Sequence, residues 1–307
     1  MYFPRFKHLV NGLASFVRTP TLSGTGGTDD PDYCYSVWLR HFVLAQEHGL
    51  KMPSNVAELG PGDSLGAGIA ALLCGAKKYT ALDIADYGAI NRNLPVFYAL
   101  VDKFKARKAI PSNAVFPRLF PELSIYEFPK SLTETEFVTA SHLAQIESSL
   151  SLAQSDNSLI KTISNWDNAD GIECGTIDFV FSHAVMFYVD DLLDAYSKLF
   201  QWLKPGGLMA HQIDFSCLYF HRDWYAHWCM PELIWRCLKG QRHYFLNRAP
   251  LSAHLYAMRV AGFCVESVKP TVAETICPRA SLADKFRHLS DEDLNTKGAY
   301  ILAKKPI

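Results

Sequence analysis

Short apolar runs of strand length alternate with longer amphipathic stretches along most of this 307-residue chain. Val56 to Leu59, Tyr79 to Ile84, Leu159 to Ile163, Thr176 to Ser182, Leu208 to Ile213, Phe263 to Val268 and Ala299 to Ala303 read as strands. Between them, Leu65 to Leu73, Asp191 to Leu203 and Ser252 to Ala261 read as helices, several ending at Gly. Strands and helices in alternation predict an α/β fold with a doubly wound, mainly parallel sheet.

Two stretches do not fit that rhythm. Residues 85–157 and 215–250 are far longer than the connections of roughly 2–6 residues common in such folds, so they read as insertions with structure of their own. The chain divides on this basis into N-terminal helices, 1–50, and a main domain, 51–307. In residues 1–18, Phe3, Phe6, Leu9, Val10, Leu13, Phe16 and Val17 fall at helical spacing, with Arg5, Lys7 and Arg18 among them. That pattern predicts a helix docked on the body or on a second subunit of a homo-oligomer; the alternative is contact with a membrane surface. A Gly- and Thr-rich connector, 19–31, leads to a second helix from about Asp32 to Gly49.

Composition narrows the partners. With 30 Lys and Arg against 31 Asp and Glu, the formal net charge is −1, which lacks the basic surplus that nucleic-acid binding requires. No apolar run approaches the ~20 residues of a membrane span, and Arg5, Lys7 and His8 break up any signal-peptide pattern. Eight scattered cysteines without a C-x-x-C pair read as reduced thiols of a cytoplasmic protein. No tight metal-ligand spacing appears, so no metal is expected; the alternative is a divalent metal held by the His and Asp cluster after the fifth strand.

The chemistry points to residues 56–84, a strand, a Gly-rich turn, a helix and a strand ending in Asp83. A dinucleotide fingerprint would place its third Gly at position 65, where Leu65 stands; the glycines are Gly60, Gly62 and Gly66. Glu58 precedes the first Gly by two residues. Together with DFVFSHAVMFYVDD at 178–191 and WLKPGGLMAHQID at 202–214, this resembles class I S-adenosylmethionine-dependent methyltransferases from about residue 54 onward. A bacterial group of methyltransferase-domain proteins, some suspected of surface-polysaccharide synthesis, is also similar. The resemblance implies a Rossmann-like, seven-stranded, mainly parallel sheet with an antiparallel last strand, S-adenosylmethionine as cofactor, and helical insertions that cap the substrate.

It also assigns the cofactor side chains. Gly60, Pro61 and Gly62 let the backbone pass close to the methionine part, and Glu58 orients that segment. Asp83, followed by Ile84, accepts the ribose hydroxyls, with a helix cap or solvated loop acid as the alternative. Asp167 meets the adenine amine, Trp166 stacks on the ring, and Ser182 and His183 line the methyl side. Relatives often carry Glu-His where this chain has Phe187-Tyr188; that pair either packs against the cofactor or fills the core.

An acceptor hydroxyl needs a base as its bond forms. Candidates gather after the fifth strand, with His221 preferred, Asp214 as orienter or base, and His211 inside the strand. Tyr188, Trp224 and His227 are the expected substrate contacts, for a small or medium polar acceptor such as a sugar or glycan oxygen. Rival readings are a catalytically inactive methyltransferase-like binding module and a nicotinamide-dependent oxidoreductase.

Overall fold

The computed structural model describes residues 2–18, 27–84, 90–133, 138–151, 158–164, 166, 171–242 and 245–307. Its elements run α1 Phe6–Ala14, α2 Pro31–Gln46, β1 Asn55–Leu59, α3 Gly66–Leu73, β2 Lys78–Asp83, α4 Ile90–Lys105, α5 Ala140–Ser151, β3 Ile160–Ser164, β4 Ile177–His183 and α6 Leu192–Trp202. They continue with β5 Leu203–Asp214, α7 Ala226–Cys229, α8 Glu232–Lys239, α9 Leu251–Val260, β6 Cys264–Val272, α10 Asp291–Asn295 and β7 Thr296–Lys304. The seven strands form one sheet in the order β3-β2-β1-β4-β5-β7-β6. β1 to β5 pair in parallel, while β7 lies antiparallel between β5 and β6, as expected for the last strand.

From β1 the chain steps outward to β2 and β3, then returns to β4 on the other side. The C-terminal ends of β1 and β4 are therefore the point where the strand order reverses, where open α/β sheets bind ligands. Glu58 stands opposite Phe181 and Leu59 opposite Ser182. Because successive side chains alternate faces, this register sends Glu58, Phe181 and His183 to one side and Leu59 and Ser182 to the other.

Each face carries its own core. Val56, Phe179, Phe181 and Ala210 pack under α2, α3 and α4. Ala57, Val180, Met209 and Ile213 pack under α6, α9 and the segment after β5. α2 is buried almost all round, from Cys34 to Phe42, so the boundary expected at residue 50 marks no break in packing. Arg40, fully buried, donates from Nη2 to Pro111 O at 3.0 Å and Asn113 Oδ1 at 3.1 Å, and from Nη1 to Pro121 O at 2.5 Å. Those bonds pin part of the 85–157 insertion to α2. α1 rests on α8 through its small and polar side rather than its apolar one.

Asp191 closes the N-terminus of α6, its Oδ1 accepting from Asp194 N at 3.0 Å. Replacing Asp191 with Ala is expected to cost about 1 kcal/mol, read as a lower urea midpoint with unchanged slope. Among the described residues, no helix is long and apolar enough to cross a membrane.

Candidate active site

The turn after β1 is built for close backbone approach. Gly60 and Gly62 take φ of +67° and +76°, the left-handed region that a side chain disfavours. Gly60 N donates to Leu82 O at 2.7 Å, tying the bend to the end of β2. Asp83, the last residue of β2, brings its Oδ2 within 3.4 Å of Gly62 N, and its Oδ1 accepts from Ile84 N at 2.7 Å. The carboxylate and the bend are thus neighbours.

Glu58 lies beneath them, 5% exposed. The Tyr79 hydroxyl donates to its Oε2 at 2.6 Å. Burial pushes this carboxyl up to about 8, while the Tyr79 bond pulls it back toward its ordinary value. A cleft opens above, lined by Thr28, Tyr33, Cys34, Glu58, Gly60, Pro61 and His183, with Val37 and Ala67.

β4 supplies the opposite wall. His183 Nδ1 faces His41 Nε2 at 3.4 Å, and its ring meets that of Tyr33 edge to face at 6.0 Å. Burial holds the His183 imidazole down to about 3, and its neighbour His41 well below the usual range, so both are neutral. Ala184 follows at φ +58°, strain at a strand tip of the kind that clusters at ligand sites. The side chain of Val185 then lies directly over Gly60. On the far face, Ser182 Oγ and His211 Nδ1 bond at 2.7 Å.

Several expected residues are not at this cleft. His211 is fully buried in the sheet and held down to about 3 by burial, so it packs rather than serving as a base. His227 is 2% exposed, enclosed by Trp228 and Trp235, and touches no open surface for substrate. His221 Nδ1 accepts from Asp223 N at 3.0 Å beside Tyr2, and Trp224 Nε1 donates to Thr275 O at 2.8 Å. Asp214 ends β5 with Oδ1 on Ser216 N at 2.8 Å; burial raises its carboxyl above the ordinary value. For His221, Trp224 and His227 the cause is shared. Phe215, Cys217, Phe220, Tyr225, Ala226 and Trp228 enter the core on the α6 and α9 face, drawing 215–230 away from the α2 face where the cleft lies.

Trp166 also departs from expectation, being 3% exposed and packed edge to face on Trp202 at 6.4 Å, so its ring is core rather than a stacking platform. Asp167 lies outside the described residues. Phe187 is in the core and its carbonyl accepts from Asn247 N at 2.8 Å; Tyr188 is half-buried against it, ring centroids 4.2 Å apart.

Sequence reasoning missed the α2 side of the cleft, Thr28, Tyr33, Cys34 and Val37, with His41 buried behind His183. Thr28 Oγ1 accepts from Asp63 N at 2.7 Å, and Cys34 Sγ donates to Thr28 O at 3.1 Å, fastening this segment over the turn. The available signal was the helix itself, which carries Cys, Tyr, Trp, Arg and His with no polar face to give to solvent.

No protein-family model matches the sequence, and no curated protein matches it either. In structure the chain is similar to geranyl diphosphate C-methyltransferase from Streptomyces coelicolor A3(2), with 9% identity, 98% of this chain and 100% of that chain covered, and a TM-score of 0.47. It is also similar to phosphoethanolamine N-methyltransferase 2 from Haemonchus contortus (15% identity, 96% and 60% covered, TM-score 0.46). A third likeness is to an S-adenosylmethionine-dependent methyltransferase from Mesorhizobium loti (13% identity, 91% and 100% covered, TM-score 0.43).

Proposed function

We propose that this chain is an S-adenosylmethionine-dependent methyltransferase acting on a small or medium polar acceptor. The observation that carries the reading is the contact between Gly62 N and Asp83 Oδ2, 3.4 Å apart, at the reversal point of the sheet. A carboxylate there accepts two vicinal hydroxyls, and the amides of the bend remain close enough to hold an amino acid group. Glu58, buried and poised near 8, gains its charge when a cationic group arrives above it.

The cofactor supplies a methyl group already activated on a sulfonium. The protein's part is to align the acceptor and exclude water. Tyr33, Cys34 and Val37 of α2 shield the cleft, and His183, neutral and steadied by His41, offers a hydrogen-bonding wall to the acceptor. With Phe215, Phe220, Tyr225 and Trp228 packed into the core, the support for a sugar or glycan acceptor that rested on an aromatic lid is withdrawn. The charge balance supports a small acceptor over nucleic acid. Eight free thiols, five of them buried, support a reducing cytoplasm.

A nicotinamide dinucleotide fits less well. Its pyrophosphate needs free amides at the start of α3. There, Leu65 N donates to Asn93 Oδ1 at 2.9 Å and Gly66 N to Ser64 Oγ at 3.2 Å, while Asp63 adds a carboxylate. The two readings separate in a thermal-shift assay. S-adenosylhomocysteine at a hundredfold excess over its Kd adds about 2.7 kcal/mol of stability and raises Tm by roughly 5 °C or more, whereas NAD leaves it unchanged. The opposite pattern removes the methyltransferase assignment.

A further inference from the structure

We propose that α1 docks this protein on an anionic lipid surface. The helix is fixed to the body by its small and polar side. At Gly12 a Cβ would sit 2.3 Å from the Cys237 carbonyl oxygen and 2.4 Å from that of Leu238, so only glycine permits this approach to α8. Ser15 Oγ accepts from Gln241 N at 2.8 Å, and Arg5 N donates to Phe220 O at 2.8 Å. The helix cannot roll without breaking these contacts.

What they leave outside is the apolar side. Phe6, Val10 and Leu13, at i, i+4 and i+7, are 79%, 44% and 49% exposed. Phe3, Phe16 and Val17 extend the exposed apolar surface at either end. Their burial against the body would have been favourable, yet Pro4, Gly12 and Ser15 occupy the inner positions instead.

Charge selects the occupant. Residues 2–18 hold Arg5, Lys7 and Arg18, all exposed, and no Asp or Glu, in a chain whose net charge is −1. A second copy seated across a two-fold axis would press this same acid-free segment against itself, cation facing cation. An anionic bilayer answers those cations with phosphate groups, while Phe6, Val10 and Leu13 enter the boundary between headgroups and acyl chains. A helix of this length lies in the interface and does not cross it.

The test is co-sedimentation of the full chain, without methyl donor, with vesicles of phosphatidylcholine alone or mixed with phosphatidylglycerol. The protein is expected to pellet with the mixed vesicles at least roughly tenfold more strongly than with the neutral ones. F6S/L13S abolishes that binding, and R5Q/K7Q/R18Q weakens it by roughly 100-fold. Both variants alter exposed residues, so their circular dichroism and Tm stay those of the parent. Wild-type protein that ignores both vesicle types, or variants that bind as the parent does, overturn the proposal. So does a dimer, seen by sedimentation velocity, that F6S/L13S dissociates. Cofactor binding is untouched in every arm, so failure here leaves the methyltransferase reading standing.

Discussion

Acidification from about pH 7.5 to about pH 5 is expected to strip on the order of 3 kcal/mol or more from the stability of this protein. Four imidazoles, those of His41, His211, His227 and His254, are at most 2% exposed. Burial holds His211, His227 and His254 down to about 3 and His41 well below the ordinary 6.5. Each is neutral in the fold but binds a proton in the unfolded chain once the pH drops below about 6.5. Their contribution is thus complete above that value and is lost as the pH falls toward 3, about 2 kcal/mol for each group by pH 5. Glu58 acts in the other sense. Raised to about 8 from 4.5, it favours the fold most at low pH, so acidification returns about 3 kcal/mol through it.

The three imidazoles with values near 3 outweigh that return, and His41 adds to them. Since domains hold only about 5–15 kcal/mol in total, the urea midpoint should fall steeply below pH 6.5. H254Q should flatten the profile by about one histidine's share. A stability curve flat from pH 7.5 to 5 contradicts the burial of these rings.

G60A is expected to lose most cofactor affinity and some stability together. A Cβ at Gly60 would stand 2.4 Å from Val185 Cγ2 and 3.0 Å from its Cγ1. The backbone there is at φ +67°, which costs a residue with a side chain about 1–2 kcal/mol. Displacing Val185 adds about 1–3 kcal/mol. The turn relieves both by moving, and a shift of the bend separates Gly62 from Asp83. Binding of S-adenosylhomocysteine should weaken by roughly 100-fold or more, with Tm lowered by several degrees. G60A with parental affinity would mean that the bend does not hold the ligand.

The sheet was legible because its strands are short, apolar and separated by amphipathic helices, and each of the seven appears within a few residues of its expected place. The bend and Asp83 were legible for a related reason. A glycine turn at the end of one strand and an acid at the end of the next must meet when the two strands are parallel neighbours, and β1 and β2 are. Local spacing fails where side-chain direction decides. His211, Asp214, His221 and His227 are close in sequence, yet alternation along β5 sends His211 to the face opposite Gln212 and Asp214, and the apolar pull of Phe215, Phe220 and Trp228 carries His221 and His227 toward the core on the side away from the cleft. Tyr33 and Cys34 reach the cleft from α2, at a sequence distance no motif spans. The apolar pattern of residues 1–18 correctly gave a helix, but packing was decided by Gly12 and Ser15, the residues a hydrophobicity pattern passes over.

The most direct test of the account is calorimetric titration of S-adenosylhomocysteine into the parent protein and into D83A. The parent is expected to give saturable binding with one site per chain. Removing a carboxylate that accepts two charge-assisted bonds, each worth about 1.5–3 kcal/mol, should weaken it by roughly 100-fold or more while Tm without ligand changes little. Equal affinity in the two proteins, or no heat from the parent up to millimolar ligand, would contradict the claim that the bend at Gly60–Gly62 and the Asp83 carboxylate form the cofactor site.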